Sequence, residues 1–459
     1  MERQIVFGPG STTAVLPEDT IVVPPGVTVA VEPADDLNGV VARALDEPLD
    51  RRPLTDQVRA GSKVVIAFDD PTVPCYAPVW ASAIPQVVER LTRAGVRTRD
   101  ISFICANALH RKFTLDELAR TLGDEVVKAH GERIACHDAE DPDALVHLGT
   151  TSSGLDVELN KAVVESDLTI YLNCSTMRGF SGGWKSVCVG LSSYRSIHHH
   201  HTPDVMSMSL DRNRMHEMLD EMGAVVDERL GPERIFKLET VLANPLQVHD
   251  MYAGSVAATR AKVVELLRRK QGTRRELIDE PADVVVYGVP DWSPYAAFSH
   301  TNPILDLIST GLGYLGGVIQ ALGKPGCTVI LATPCPDRWD TQHHASYPEV
   351  WSDVLPATTD PDDARIRFEP DLAGREDYIH KYRFENAFHP VHAVMALYPL
   401  KRLRHAARVI VAGSEDPKIP QHCGFESARD VGAAIDMARA EGDADRVALV
   451  EYPPAFNRQ

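Results

Sequence analysis

The stretch Leu168-Thr-Ile-Tyr-Leu-Asn-Cys-Ser-Thr-Met-Arg-Gly-Phe-Ser-Gly-Gly-Trp-Lys185 opens as an apolar run and ends in three glycines within five residues, closed by a lysine. The run predicts a buried strand at 168–172, and the glycines predict a loop whose backbone can approach a ligand closely. Working outward, the same grammar recurs upstream. Residues 64–68 and 101–105 are short runs rich in Val and Ile. After the first, 81–93 carries an amphipathic helical pattern. After the second, Thr114-Leu-Asp-Glu117 has the spacing of a capping box, in which hydroxyl and carboxylate satisfy free backbone N–H groups. Strands alternating with helices predict βαβ units and a mainly parallel sheet. A second series starts near residue 282, with strands predicted at 284–287, 328–332, 409–412 and 447–450. The basic stretch 268–275 between the two series is the expected linker. The chain reads as α/β: two α/β domains with mainly parallel sheets, 1–278 and 279–459, with the active site in the crevice between them.

Composition narrows the function. The 459 residues carry 65 Asp and Glu against 47 Lys and Arg, a formal charge of −18. Such a field repels polyanions and excludes nucleic acid as the main partner. At 44% hydrophobic and 24% charged, the chain is an ordinary globular one, not disordered, collagenous or coiled coil. No apolar run approaches the roughly 18 residues that would span a bilayer, and the N-terminus MERQIVFGPG lacks a signal peptide's basic start and apolar stretch. A cytoplasmic location without membrane partners is expected. The eight cysteines form no C-x-x-C pair and read as buried thiols of a reducing compartment.

In open parallel sheets, ligands bind beyond the carboxyl ends of the strands, so the loops there carry the candidate chemistry. The first strand runs into Phe68-Asp-Asp-Pro-Thr-Val-Pro74, which brings Asp69 and Asp70 together, either at a ligand or as caps of the next helix. The second ends in Asn107-Ala-Leu-His-Arg111. Imidazole titrates near neutrality, so His110 is a general-base candidate, a structural hydrogen-bonder being the alternative. The third loop holds Gly179, Gly182, Gly183 and Lys185; it fits neither G-x-x-x-x-G-K-[ST] nor G-x-G-x-x-G, and a plain turn with a solvated lysine is the alternative. Sixteen residues beyond Lys185, His201 ends the run His198–His201. Imidazole suits borderline transition metals, and one ligand from the run, with the others solvated or behind it, is the economical reading.

Together these segments resemble the nickel-dependent lactate racemase family, whose members use a nickel-pincer nucleotide. The matching pieces are Asp69-Asp-Pro-Thr72, His110-Arg111 followed by Thr114, Gly179-Phe-Ser-Gly-Gly-x-Lys185 and His201. Val248–Gly254 resembles the segment closing the family's N-terminal domain, and Gly424-Phe425 its C-terminal end. The resemblance implies a cofactor-binding N-terminal domain, with Lys185 joined to the cofactor through a thioamide and His201 as the nickel ligand. Asp69, Asp70, Thr72, Gly182 and Gly183 would help hold the cofactor. It further implies hydride transfer on a 2-hydroxy acid or related carbinol, with His110 taking the hydroxyl proton. The implied partners are a small-molecule substrate and, transiently, the proteins that build the cofactor.

Two departures from the family qualify this. The family's second catalytic histidine, ten residues before the lysine, is Ser175 here, a poor proton acceptor unless a base activates it. His198, His199, His200 and His300 are candidate substitutes. The arginine expected three residues after Asp70 is Val73, and no Lys or Arg lies between Asp283 and Leu322, where the family places a substrate-binding lysine. Arg111 and Arg178 are the nearby cations that could bind a carboxylate instead. The expected activity is therefore a racemase or epimerase. The alternatives are a retired relative that only binds, and a one-way oxidoreductase that releases ketone.

Overall fold

The computed structural model describes residues 1–23, 31–175, 181–206, 213–270, 278–440, 442 and 445–451. The chain divides into two compact units. One comprises Ala30–Lys270 with Tyr382–Asn386; the other comprises Met1–Val29, Gln271–Lys381 and Ala387–Gln459.

The first unit holds a six-stranded sheet. Across it run Gln247–Gly254, Ile235–Asn244, Leu168–Ser175, Val64–Asp69, Ile101–Ala106 and Ile134–Cys136. Neighbours are parallel except for the hairpin of the first two. Leu168–Ser175 is buried at every position and Val64–Asp69 at all but the last. Both faces of these strands are covered, which is why their sequences are continuous apolar runs and do not alternate. Helix Val79–Arg93 starts two residues before the predicted position and turns Val79, Trp80, Ala83, Ile84, Val87 and Leu91 inward, an i, i+4 stripe. The box predicted at Thr114 and Glu117 forms in both directions and caps Leu115–Leu122.

In the second unit the order is Glu426–Ala428, Arg408–Ala412, Gly323–Ala332, Ala282–Gly288, Val447–Val450 and Ile21–Val23, all parallel. This corrects the expected division at 278, because residues 1–29 belong with the C-terminal part of the chain. Ile21–Val23 pairs with Val447–Val450. The hairpin Glu2–Phe7 and Gly10–Val15 adds Ile5 and Ala14 to a core that includes Val284, Val286, Ile330 and Ile410. Gly288 makes this docking feasible, since a Cβ there would sit 1.8 Å from the Val6 carbonyl oxygen. Gly8 N–H then donates to Val289 O at 2.9 Å.

One helix bears on the membrane expectation. Ile304–Leu322 is long and apolar enough, by length and composition alone, to cross a membrane, and 72% of its most apolar window is buried inside the unit. Asp306, Ser309 and Thr310 interrupt the apolar run in sequence. All eight cysteines are free, and all but Cys136 are buried.

Candidate active site

Strands Leu168–Ser175, Val64–Asp69 and Ile101–Ala106 are adjacent and parallel, so the loops at their carboxyl ends open on one edge of the sheet. There the first two loops meet through side chains. His110 Nδ1 lies 2.8 Å from Asp70 Oδ2 and 3.1 Å from Thr72 Oγ1. Asp70 Oδ1 accepts the Thr72 N–H at 3.0 Å and the Thr72 hydroxyl as well. A carboxylate only accepts, so it fixes the Nδ1–H tautomer and puts the ring's lone pair on Nε2. Asp70 and Thr72 are buried, whereas the His110 side chain is 25% exposed. The loop is held by Asn107, whose amide donates to the carbonyls of His110 and His137, each at 3.1 Å. Neither aspartate caps the next helix, which follows Pro78 without a side-chain cap.

Asp69 faces the third strand. Its carboxylate accepts the Tyr171 hydroxyl at 3.0 Å and the Cys174 N–H at 2.9 Å. Burial pushes this carboxyl up to about 6, against the Cys174 N–H and the charges of Lys237 and Lys185. For Lys185, burial lowers the ammonium pKa, against attraction by Asp69 and Asp70. Gly182 and Gly183 adopt φ +85° and +58°. A Cβ on Gly182 would lie 2.7 Å from Glu239 Oε1 and 3.3 Å from Ser175 Oγ, and Gly183 N–H donates to the same Glu239 oxygen at 2.7 Å. The two glycines are thus required both by backbone angle and by close approach to a buried carboxylate. Arg178, Gly179 and Phe180 lie outside the described residues.

His201 Nδ1 is 2.9 Å from His200 Nδ1. His200 is fully buried, and burial, followed by Lys185 and the neighbouring histidines, pushes its pKa down to about 3. When His201 Nδ1 donates to neutral His200, the lone pair of His201 sits on Nε2, the state a metal ligand needs. His199 is instead directed toward Asp156 at 3.6 Å. The interactions His110 with Asp70, Asp70 with Lys185, Lys185 with His200, and His200 with His201 join these residues into one neighbourhood.

The contacts change one assignment. Arg111 is no carboxylate clamp: it is 1% exposed and grips Glu117 at 2.6 and 3.1 Å over the ring of Phe113. It thus extends the capping box. Trp184 packs against Gly223, where a Cβ would fall 2.2 Å from the indole. Sequence reasoning missed the Asp70–His110 bond, though carboxylate and imidazole at neighbouring strand ends were the available signal. It also missed Lys237 and Glu239, fully buried side chains 3.8 Å apart on the strand beside Leu168–Ser175.

Residues 7–212 match the lactate racemase N-terminal domain. The chain is 29% identical over 225 residues to lactate racemase of Lactiplantibacillus plantarum, covering 48% of this chain and 51% of that one. It is 25% identical over 307 residues to lactate racemase of Thermoanaerobacterium thermosaccharolyticum, covering 65% and 66%. The alignments thus span between half and just under two thirds of these curated relatives. The lactate racemase apoprotein structure from the latter organism superposes with a TM-score of 0.69 at 19% identity, covering 100% of both chains. A Thermotoga maritima protein superposes with a TM-score of 0.55 at 14% identity, covering 93% and 99%. The fold is therefore shared across the whole length, and the matched N-terminal sequence carries Asp70, His110, Lys185 and His201. The chain is thus similar to lactate racemases in sequence over part of its length, chiefly the N-terminal part, and in fold throughout.

Proposed function

We propose that this protein is a racemase or epimerase of a 2-hydroxy acid or related carbinol, working by reversible hydride transfer with a nickel-pincer nucleotide joined to Lys185 and its nickel held by His201. The observation that carries the reading is the oriented Asp70–His110 pair in the neighbourhood of Lys185.

The residues fit such a group. Among the described residues no three His, Cys, Asp or Glu side chains converge on a metal, so a metal at His201 would take its remaining donors from the cofactor. The buried His200 backs His201, and the Gly182–Gly183 turn lets backbone approach closely. Burial favours the neutral amine of Lys185, the form able to make a covalent link. When bound, the cofactor supplies a reversible hydride acceptor.

The chain does the proton chemistry. His110 Nε2 accepts the substrate hydroxyl proton as the carbonyl forms, and Asp70 stabilises the resulting imidazolium while Thr72 fixes the geometry. On return the imidazolium gives the proton back to the alkoxide oxygen. With Val73 in place of an arginine and Arg111 committed to Glu117, we assign a substrate larger or differently charged than lactate, such as a sugar acid or aryl hydroxy acid. The free thiols suit a reducing cytoplasm, where the cofactor-building proteins would have to reach Lys185.

The test is co-expression with the cofactor biosynthesis system. An adduct on Lys185 by intact mass, bound nickel by metal analysis, and inversion at C2 across a hydroxy-acid panel are the expected results; an unmodified lysine would reject the reading. A second reading, an oxidoreductase releasing ketone, is favoured by Ser175 in the second base position and would show as ketone accumulation.

A further inference from the structure

Strand Ile134–Cys136 lies at the edge of the first unit's sheet and pairs with Ile101–Ala106 in a register that sets Cys136 opposite Cys105. Neighbouring strands stand about 4.8 Å apart, inside the Cα separation of roughly 4.4–6.8 Å that a disulfide spans. The two thiols hydrogen-bond each other. Cys105 is fully buried, whereas Cys136 is the one cysteine of the eight that is not buried.

Their surroundings differ in kind. Cys136 Sγ accepts the Phe113 N–H at 3.3 Å. The Cys105 S–H, and after it the Phe113 N–H and the Lys112 charge, hold the Cys136 thiol below its ordinary range against burial and Asp70. Burial, then donation to Cys136, pushes the Cys105 thiol well up. A partly exposed sulfur that favours the thiolate, backed by a buried protonated one, is the arrangement of an oxidisable dithiol in which the first attacks and the second resolves. A second thiol pair gives the contrast: Cys174 hydrogen-bonds Cys75, but both are buried, and burial raises Cys174.

The pair is tied to the His110 loop. Cys105 O accepts the His137 N–H at 3.0 Å. Asn107, two residues past Cys105, holds the carbonyls of His137 and His110 together. Phe113, bonded to Cys136 Sγ, is three residues past His110.

We propose that Cys136 and Cys105 form a modification site for hydroperoxides, closing into an intrachain disulfide that shifts the His110 loop. In the first step the Cys136 thiolate attacks a peroxide oxygen and the O–O bond breaks. The leaving hydroxide takes up the thiol's proton as water, and Cys136 becomes a sulfenic acid. The Cys105 sulfur then attacks the Cys136 sulfur; the S–S bond forms as the S–O bond breaks, and the hydroxyl departs with the Cys105 proton as a second water. Both thiols are oxidised and the peroxide is reduced, and a small dithiol reverses the bond by exchange. Nothing in this chemistry requires the racemase reading.

The test treats the whole purified chain with a slight excess of hydrogen peroxide under native conditions. Intact mass should fall by the mass of a hydrogen molecule. Peptide mapping should join Cys105 to Cys136, while Cys75 and Cys174 remain open to alkylation after denaturation. Cys105→Ser should leave Cys136 as a sulfenic acid trapped by a cyclic 1,3-dione, and Cys136→Ser should leave Cys105 unoxidised; the parent's map decides the pairing without either variant. The His110 imidazole proton signal, assigned by its absence in His110→Asn, should move on oxidation and return with dithiothreitol. An unchanged mass, a sulfinic acid at Cys136 beside a reduced Cys105, or a bond formed first between Cys75 and Cys174 would overturn the site. A linked pair with an unmoved His110 signal would overturn its effect on the loop.

Discussion

Each unit of this molecule carries a histidine bonded through Nδ1 to an aspartate that also accepts a hydroxyl. In the first unit these are His110, Asp70 and Thr72; in the second they are His343, Asp340 and Ser299, with His343 Nδ1 at 2.7 Å from Asp340 Oδ2. The bonding is alike, but the origins differ. Asp340 and His343 are three residues apart, and Asp340 Oδ1 also accepts the N–H groups of Gln342 and His343. That pair is what a single turn makes on its own. Asp70 and His110 are forty residues apart and meet because two parallel strands place their ends side by side. The Asp340–His343 pair needs no fold; the Asp70–His110 pair exists only in one. An imidazole–carboxylate contact becomes a candidate catalytic base through its neighbours, here Asp69 and Lys185, and not through the contact itself.

The widest separation between the two pairs should come from the histidines. His110→Asn should lower turnover about 10³-fold, whereas His343→Asn should leave it within about threefold. Comparable losses, measured as initial rates on the loaded enzyme, would erase the distinction. Next in size is a stability effect nearby. Arg111→Met strands the carboxylate of Glu117 and should cost about 3 kcal/mol in chemical denaturation, with KM unchanged in the material that folds. A raised KM would return Arg111 to the substrate.

Asp70→Asn keeps the shape but offers an amide where the His110 ring needs an acceptor, and should reduce kcat about 10²-fold without a change in the Lys185 adduct. The carboxylates also separate by pH. Asp69 is raised to about 6 when folded, so the unfolded chain loses this proton first. Stability from this group therefore falls as pH rises from about 4 to about 6, by about 3 kcal/mol, and is flat above. Asp69→Asn should remove that decline in thermal melts. Asp340 moves the other way: burial pushes it up, but bonds from His343 and Ser299 outweigh this and hold it below the usual carboxylate range. Its stabilisation is present above about pH 4 and lost as pH falls. With the pair partly exposed, Asp340→Asn should cost only about 1 kcal/mol at pH 7.

Legibility tracked the range of the interactions. The strands expected at 64–68, 101–105 and 168–172, the helix expected at 81–93 and the Thr114–Glu117 box were readable to within three residues at their ends because burial, periodicity and capping act over a few residues. The domain boundary was not, because the segment before residue 30 joins a sheet whose other strands begin at 282. Arg111 looked like a spare cation because its partner Glu117 had already been assigned to a cap. Glu239 and Lys237 gave no motif at all, since each is one charged residue inside an apolar strand.

Sequence alone determined the α/β class and nominated the strand-end loops with Asp70, His110 and Lys185, because strand and loop character is written locally, while His201 was singled out from its histidine run by the family resemblance. Only tertiary structure decided that Asp70 orients His110, that Arg111 is structural and that a buried carboxylate stands near Ser175. Those are contacts between segments far apart in the chain, fixed by strand order and register, which no local pattern encodes.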